Sequence, residues 1–168
     1  VLCSIGQTVL ISNYGRYYKL LNYFSRFTQK RMGIILGIMN LKDIFDEKYY
    51  NHLDGGILEG IGKMFSQDLK VYVYPYNSEK NNQLLTTKNI EIDSKIKTLY
   101  DFYVLNKRLI DIKNYQKEFL NIFSNKVLSM IRTNKNGWED LVPTYVDNII
   151  KENNLFGYNK NIKTKKTK

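Results

Sequence analysis

The sequence predicts an α/β protein on a parallel sheet, with a Rossmann-like β-α-β-α-β start, a helical C-terminal part and a disordered basic tail. Two observations predict this class. Apolar, β-branched runs that could be buried on both faces recur early in the chain, and stretches of helical periodicity separate them. Helical connections between apolar strands are typical of β-α-β crossovers. We expect one domain over residues 1–158, as the C-terminal part of a longer protein, followed by a lysine-rich tail over residues 159–168.

The predicted strands are three apolar runs in the first half of the chain. They cover residues 8–12 (TVLIS), 33–39 (GIILGIM) and 69–75 (LKVYVYP). The predicted helices cover residues 13–28 with Asn13 as N-cap, 41–50, 57–65, 95–107, 115–131 and 138–152. Residues 89–92 are either an edge strand or a loop, and residues 104–112 are a candidate for one more strand.

Composition excludes several classes of protein. Of the 168 residues 43% are hydrophobic, which is near the globular average, so general disorder is not expected. No apolar run reaches the roughly 18 residues of a membrane-spanning helix, and the first residues do not form a signal peptide. Cys3 is the one cysteine, which excludes an internal disulfide and fits a reducing compartment. We therefore predict a cytoplasmic protein that has no membrane partner and no metal site.

The net charge of +10 has two explanations. Lysines 160, 163, 165, 166 and 168 lie in the last nine residues, and without them the net charge falls to +5. The chain is also rich in Lys, Asn, Ile and Tyr, which is the composition that a strongly A+T-biased genome imposes. The charge is therefore either compositional or a basic surface that binds RNA through the tail.

Candidate ligand residues follow from the rule that open parallel sheets bind ligands beyond the carboxyl ends of their strands. Gly55 and Gly56 form the most unusual stretch, either a phosphate-cradling loop or a kink between two helices. The full candidate set is Ser12, Asn13, Arg16, Asn40, Gly55, Gly56 and Tyr74. No catalytic residue is assigned, because His52 is the one histidine available for a triad.

Two further patterns have alternative interpretations. Aromatic and basic residues alternate along residues 14–26, where they either stack bases and bind phosphate or partly pack into the core. The residues concerned are Tyr14, Arg16, Tyr17, Tyr18, Lys19, Tyr23 and Arg26. Asp43 and Glu47 are four apart on one helix face, so they either bind Mg²⁺ or are solvated, and the flanking lysines favour solvation.

Residues 41–65, 69–75 and 138–158 together resemble the C-terminal region of a family of largely uncharacterised proteins of bacteria and some eukaryotes. Its members are often labelled nicotinamide mononucleotide adenylyltransferase-like or TonB-dependent receptor. The resemblance implies a nucleotide-handling α/β protein of the nucleotidyltransferase kind. The H-x-G-H and I-S-x-T-x-x-R motifs are absent from this chain, so the resemblance implies that they lie upstream of Val1.

Two functions are therefore predicted. The first is the C-terminal part of a cytosolic nucleotide-handling protein with its ligand site at the strand ends. The second is a non-catalytic domain that binds RNA or another protein through a basic surface. Enzymatic activity, cofactor and oligomeric state stay open.

Overall fold

The structure is a computed structural model that describes residues 2–3, 6–78 and 83–159. The chain forms two compact units, one of Ile11–Leu120 and one of Val1–Leu10 with Asn121–Lys168. The division between them runs inside the range 1–158 that the sequence predicts as one domain. Of the predicted disordered tail, Asn159 is described and residues 160–168 lie outside the described residues.

The larger unit is built on a three-stranded parallel sheet. The strands of the described chain are β1 (Met32–Gly37), β2 (Leu69–Tyr74), β3 (Tyr76–Asn77), β4 (Leu84–Leu85) and β5 (Leu109–Asp111). The parallel sheet has the order β1-β2-β5, with Met32 opposite Leu69 and Val71 opposite Leu109. β3 and β4 form a separate antiparallel pair.

Six α-helices lie in the described residues. They are α1 (Tyr17–Phe24), α2 (Ile38–Ile44), α3 (Gly56–Met64), α4 (Ser94–Leu105), α5 (Ser124–Arg132) and α6 (Val146–Glu152). Short 3₁₀ turns at Glu47–Tyr49, Lys117–Asn121, Glu139–Leu141 and Leu155–Gly157 complete the helical structure. The α/β class and the parallel sheet are thus confirmed.

The core of the larger unit lies on one face of the sheet. The alternate residues Leu69, Val71 and Val73 of β2 are fully buried, and they share a cluster with apolar residues of α1 to α4. Ile35, on the opposite face of β1, is 75% exposed. Gly33 has no side chain on that face, and the Tyr72 ring covers it instead. The expectation that both faces are buried is therefore wrong at β1.

Several predicted elements are confirmed with shifted ends. The run at residues 69–75 forms β2, the candidate strand within 104–112 forms β5, and residues 89–92 form no strand. The helices predicted at 57–65 and 95–107 correspond to α3 and α4. Side-chain periodicity was a sufficient signal in these segments because each has one face in the main core.

The predicted strand at residues 8–12 is wrong. These residues have no regular secondary structure, and Val9, Leu10 and Ile11 are 43%, 63% and 94% exposed. A β-branched sequence favours extended backbone, but a strand requires a partner for its hydrogen bonds. In the part of the chain that the structure describes, this segment pairs with no strand, and the sheet begins at β1.

Two further boundaries differ from the prediction. α2 begins at Ile38, directly after β1, so Asn40 is part of a helix and does not lie in a loop after a strand. Asn13 is not an N-cap, because α1 starts only at Tyr17 and its N-cap is Arg16, which makes no side-chain capping bond. Residues 12–15 are all exposed and are not helical, so the helix does not extend back to Asn13.

The smaller unit has its own apolar cluster. Val127 and Ile131 of α5, Ile150 of α6 and Trp138 form its buried centre. Trp138 and Ile150, which lie in the segment 138–158, are therefore core residues of this unit. α6 begins at Val146, after Pro143, because Tyr145 has a left-handed backbone (φ 71°) that ends any helix before it.

Candidate nucleic-acid interface

α1 has one buried face and one exposed face. Tyr18 and Leu21 enter the core of the larger unit, where α1 packs on α3. Lys19, Asn22 and Tyr23 lie on the other side and are exposed. The spacing of the buried residues determines which side chains remain in water, so the helix presents an aromatic and basic surface.

The exposed side of α1 has a cluster of aromatic rings. The ring centroid of Tyr23 lies 5.5 Å from that of Tyr14 and 5.0 Å from that of Phe27. Tyr23 is 38% exposed and Phe27 is 71% exposed. Rings that contact one another at the surface keep a fixed orientation while one face stays available to a planar ligand.

A groove runs beside this cluster, with a volume of about 210 Å³. We call it the α1 groove, and it is lined by Tyr14, Tyr18, Lys19, Asn22, Tyr23, Arg26 and Lys63. Lys63 is paired with Glu59 on α3. Lys19 and Arg26 form no ion pair among the described residues, so two cations of the groove are available to an anionic ligand.

A second cavity of about 150 Å³ lies at the start of α1, and we call it the Arg16 cavity. Its lining includes Arg16, Tyr18, Asp43 and Tyr49. The guanidinium carbon of Arg16 lies 4.4 Å from the centroid of the Tyr49 ring, and the Tyr49 hydroxyl donates a 3.5 Å hydrogen bond to Asp43 Oδ1. Tyr18 also lines the α1 groove, so the two cavities are adjacent.

Two hydrogen-bonded tyrosines, Tyr18 of α1 and Tyr50, line the Arg16 cavity. The Tyr18 hydroxyl lies 2.7 Å from His52 Nε2, and the buried Tyr50 donates a 2.7 Å hydrogen bond to the carbonyl of Ile44. Burial, with a smaller contribution from Tyr18, raises the pKa of Tyr50 to about 12. Tyr50 is therefore neutral at physiological pH and serves as a fixed donor. His52 is exposed.

The two adjacent glycines begin α3. Gly56 has a positive φ of 53°, which a glycine adopts without strain. The amide of Gly55 donates a 2.9 Å hydrogen bond to Glu59 Oε2, and Glu59 is paired with Lys63. These contacts hold the pKa of Glu59 below its ordinary value, the Lys63 bond being the larger cause. A carboxylate thus occupies the position at which a phosphate-cradling loop would bind its anion.

The remaining candidate residues are dispersed. Ser12 Oγ accepts a 3.1 Å hydrogen bond from the amide of Tyr14, and Asn13 is exposed before α1. Asn40 is exposed on α2, and the ring of Tyr74 at the end of β2 lies 6.1 Å from that of Tyr115. Of the seven predicted residues, Arg16 is the one that lines the α1 groove or the Arg16 cavity.

At the carboxyl end of β5, an acidic side chain is fully engaged. Asp111 accepts hydrogen bonds from the backbone amide and the hydroxyl of Thr87, both 2.8 Å long. The Tyr100 hydroxyl donates to the Thr87 carbonyl at 2.7 Å. Thr87 is 4% exposed, so these bonds replace water at a buried turn. The network holds the loop before α4 against the sheet.

Replacing Asp111 by alanine should destabilise the protein by about 1–3 kcal/mol, because the buried donors of Thr87 would lose their acceptor. Urea denaturation followed by circular dichroism measures the effect. The matched control is Asp101→Ala, which removes the same charge from an exposed ion pair with Lys97 and should cost at most about 0.5 kcal/mol. Equal losses in the two variants would contradict a structural role for this network.

A wider cavity of about 420 Å³ is lined by apolar residues and by both signs of charge. Two of its acids have structural partners. Asp46 accepts a 3.1 Å hydrogen bond from the amide of Lys48 at a 3₁₀ turn, and Asp93 caps α4 through a 2.9 Å bond from the amide of Lys95. These acids cap helical turns, so we assign this cavity no ligand.

Sequence reasoning favoured a solvated position for Asp43, which lines the Arg16 cavity, and it overlooked one simple signal. The signal is the charge distribution, since residues 1–42 contain Arg16, Lys19, Arg26, Lys30, Arg31 and Lys42 but no acid. A one-sided charge over a folded helix indicates a basic surface more directly than the lysine-rich tail does.

Comparison with protein-family models, with curated proteins and with solved structures finds no match for this chain. The resemblance to nicotinamide mononucleotide adenylyltransferase-like proteins therefore stays a prediction. In the part of the chain that the structure describes, no helix has the length and apolar composition needed to cross a bilayer. Across residues 2–3, 6–78 and 83–159, no three His, Cys, Asp or Glu side chains are grouped as a metal site.

Proposed function

We propose that this protein binds single-stranded nucleic acid along the exposed face of α1 and does so without catalysis. The observation behind this proposal is the α1 groove, where exposed aromatic rings lie beside the unpaired cations Lys19 and Arg26. Proteins that bind single strands combine aromatic side chains, on which bases stack, with basic side chains that contact successive phosphates. Both parts are present on one helix and its flanks.

The volumes of the two cavities favour a strand over a free nucleotide. They are about 210 and 150 Å³, whereas pockets that enclose small ligands measure roughly 300–1,000 Å³. A strand that lies across a surface needs no enclosing pocket, because stacking uses one open ring face and phosphates stay in water. The α1 surface thus suits an extended, anionic, base-bearing polymer.

The alternative is a nucleotide-handling, nucleotidyltransferase-like function at the strand ends. Contacts at that edge do not favour it, because both carboxylate oxygens of Asp111 are engaged by Thr87 and β1 continues directly into α2. This function stays a prediction, as do a Rossmann-like strand order, a cytoplasmic location and a disordered tail. A thermal shift with a mononucleotide that persists at moderate salt would favour the alternative.

Tyr23→Ala should weaken binding of a fluorescein-labelled oligouridylate by about 5- to 150-fold, since each stacked base contributes roughly 1–3 kcal/mol. Fluorescence anisotropy titration measures the dissociation constant. The matched control is Phe102→Ala, which removes an exposed aromatic ring from α4. Affinity should be unchanged in this control. Equal affinities for wild type and Tyr23→Ala would refute stacking on α1.

Replacing both Lys19 and Arg26 by alanine should reduce the salt dependence of binding. Each phosphate contact on a single strand contributes a slope of about 0.7 in a plot of log affinity against log salt, so the slope should fall by about 1.4. The paired control is Lys88→Ala with Lys95→Ala, which removes the same charge from exposed positions elsewhere. An identical fall in both double variants would mean that net charge, and not the groove, determines affinity.

The lysine-rich tail is a separate candidate for RNA binding, and truncation after Tyr158 distinguishes the two. Loss of five lysines should lower affinity at low salt, because fewer counterions are released. The truncated chain should still bind, and Tyr23→Ala should weaken its binding by the same factor as in the full chain. Complete loss of binding on truncation would assign the function to the tail.

A further inference from the structure

We propose that the Arg16 cavity is a ribose-binding subsite, through which the α1 surface prefers RNA to DNA. This inference rests on the proposed binding of single strands. It follows from a pair of opposite charges, Arg16 and Asp43, that line one cavity next to the α1 groove. The two side chains form no salt bridge with each other, although both face the same small space.

Arg16 is held in place by a ring and not by an acid. Its guanidinium group lies over Tyr49, 4.4 Å from the ring centroid. Among the described residues it has no ion-pair partner. Stacking uses the flat face of a guanidinium group, so its N–H groups at the edge stay available for a phosphate.

Asp43 supplies the opposite chemistry. The Tyr49 hydroxyl donates to its Oδ1 at 3.5 Å, a long hydrogen bond, and no described contact engages Oδ2. An ionised carboxylate only accepts hydrogen bonds and repels phosphate, so its natural partner on a nucleic acid is a hydroxyl group. The 2′-hydroxyl is the sugar donor that RNA has and DNA lacks. A phosphate at Arg16 and a ribose at Asp43 would satisfy both charges.

The size and position of the cavity agree with one sugar-phosphate unit. Its volume of about 150 Å³ is below the roughly 300 Å³ of the smallest pockets that enclose whole ligands, so it suits one part of a nucleotide. The base would lie outside, and Tyr18 forms a wall shared with the α1 groove, where the aromatic rings are. A strand could therefore place its sugar at Asp43 while its bases stack along α1.

The test compares single strands of one sequence that differ only at the sugar. Wild-type protein should bind an oligouridylate at least about tenfold tighter than the matching oligodeoxyuridylate, as expected for a hydrogen bond to a charged group. Asp43→Ala should bring this ratio to about one. The charge-matched control, Asp101→Ala, should retain the wild-type ratio, because Asp101 lies on α4 and pairs with Lys97.

A third ligand tests whether the preference for RNA comes from the 2′-hydroxyl donor or from the conformation of the sugar. An oligomer with 2′-fluoro groups keeps the ribose conformation but cannot donate, so wild type should bind it as weakly as it binds the deoxy strand. Tyr49→Phe should lower the RNA-to-DNA ratio partly, since it removes the hydroxyl that positions Asp43 but keeps the ring under Arg16. Circular dichroism checks that each variant is folded.

The outcomes that overturn this inference differ from those that overturn the proposed function. Equal affinity of wild type for RNA and DNA, or a preference that persists in Asp43→Ala, refutes the ribose subsite alone. A uniform gain in affinity of Asp43→Ala for both strands also refutes it, because Asp43 would then act only by repelling phosphate. Failure to bind either strand refutes the proposed function and the subsite with it.

Discussion

Replacing Trp138 by alanine should destabilise the smaller unit by about 3–5 kcal/mol, the usual cost of removing a large buried aromatic side chain. Trp138 is 2% exposed, and it lies with Val127, Ile131 and Ile150 at the centre of that unit's cluster. This cluster has few members, so neighbouring side chains cannot easily refill the space. The loss is a large part of the 5–15 kcal/mol that typically stabilises a domain.

Hydrogen exchange measures this effect. Tryptophan fluorescence cannot, because Trp138 is the one tryptophan of the chain and the variant lacks it. Amides of α5 and α6 should exchange about 10²- to 4 × 10³-fold faster in Trp138→Ala. The matched control is Phe156→Ala, which removes an exposed aromatic side chain of the same unit and should change stability by less than about 0.5 kcal/mol. Unchanged protection of α5 and α6 in Trp138→Ala would show that Trp138 is not their common core.

Gly60→Ala is expected to destabilise the larger unit by about 1–3 kcal/mol through overpacking. A Cβ atom at residue 60 would lie 2.1 and 2.3 Å from two carbons of the Tyr50 ring. This ring cannot move away easily, because it is buried and its hydroxyl is bonded to the Ile44 carbonyl. Since Tyr50 lines the Arg16 cavity, the variant should also weaken RNA binding.

Gly62 provides the control, two residues further along the same helix. A Cβ atom there meets nothing within 4 Å, so Gly62→Ala should stabilise α3 by about 0.5–1 kcal/mol. Thermal denaturation of the two single variants should therefore give shifts of opposite sign. The Gly60→Ala penalty should also shrink on a Tyr50→Ala background, because the clash requires the ring. If Gly60→Ala and Gly62→Ala both stabilised the protein, this would contradict the close packing of α3 against Tyr50.

The residue types of the candidate surface were predictable, but their geometry was not. The alternation of tyrosine with arginine and lysine along residues 14–26 was interpreted either as a surface that stacks bases and binds phosphate or as partial packing into the core. Of these residues, Tyr14, Tyr18, Lys19, Tyr23 and Arg26 line the α1 groove, and Tyr18 is also a core residue.

Asn40 and Tyr74 were selected by the strand-end rule, and Gly55 and Gly56 were selected as a possible phosphate-cradling loop. The α1 groove and the Arg16 cavity include none of these four residues. The strand-end rule depends on where strands end and helices begin. Because α2 begins at Ile38 and not at residue 41, the predicted loop at Asn40 does not exist.

The sequence by itself determined the α/β class, the strands β1 and β2, and the aromatic and basic residue types of the α1 surface, with β5 as a candidate strand. These features depend on local periodicity and on side-chain type, which every residue has before folding. The tertiary structure decided that residues 8–12 form no strand. Their β-branched side chains favour extended backbone, but in the described part of the chain no neighbouring strand pairs with them.

Tertiary structure also decided which side chains share a space. Arg16, Asp43 and Tyr49 are up to 33 residues apart in the chain, yet they line one cavity. Their meeting depends on the placement of the start of α1 beside α2 and the 3₁₀ turn that follows it. The buried residues Tyr18 and Ile44, which also line the cavity, belong to the core that stabilises this placement. Composition and residue spacing do not specify how far apart two segments lie in the folded chain. The sequence could therefore indicate which chemical groups form the site, but not how they are arranged.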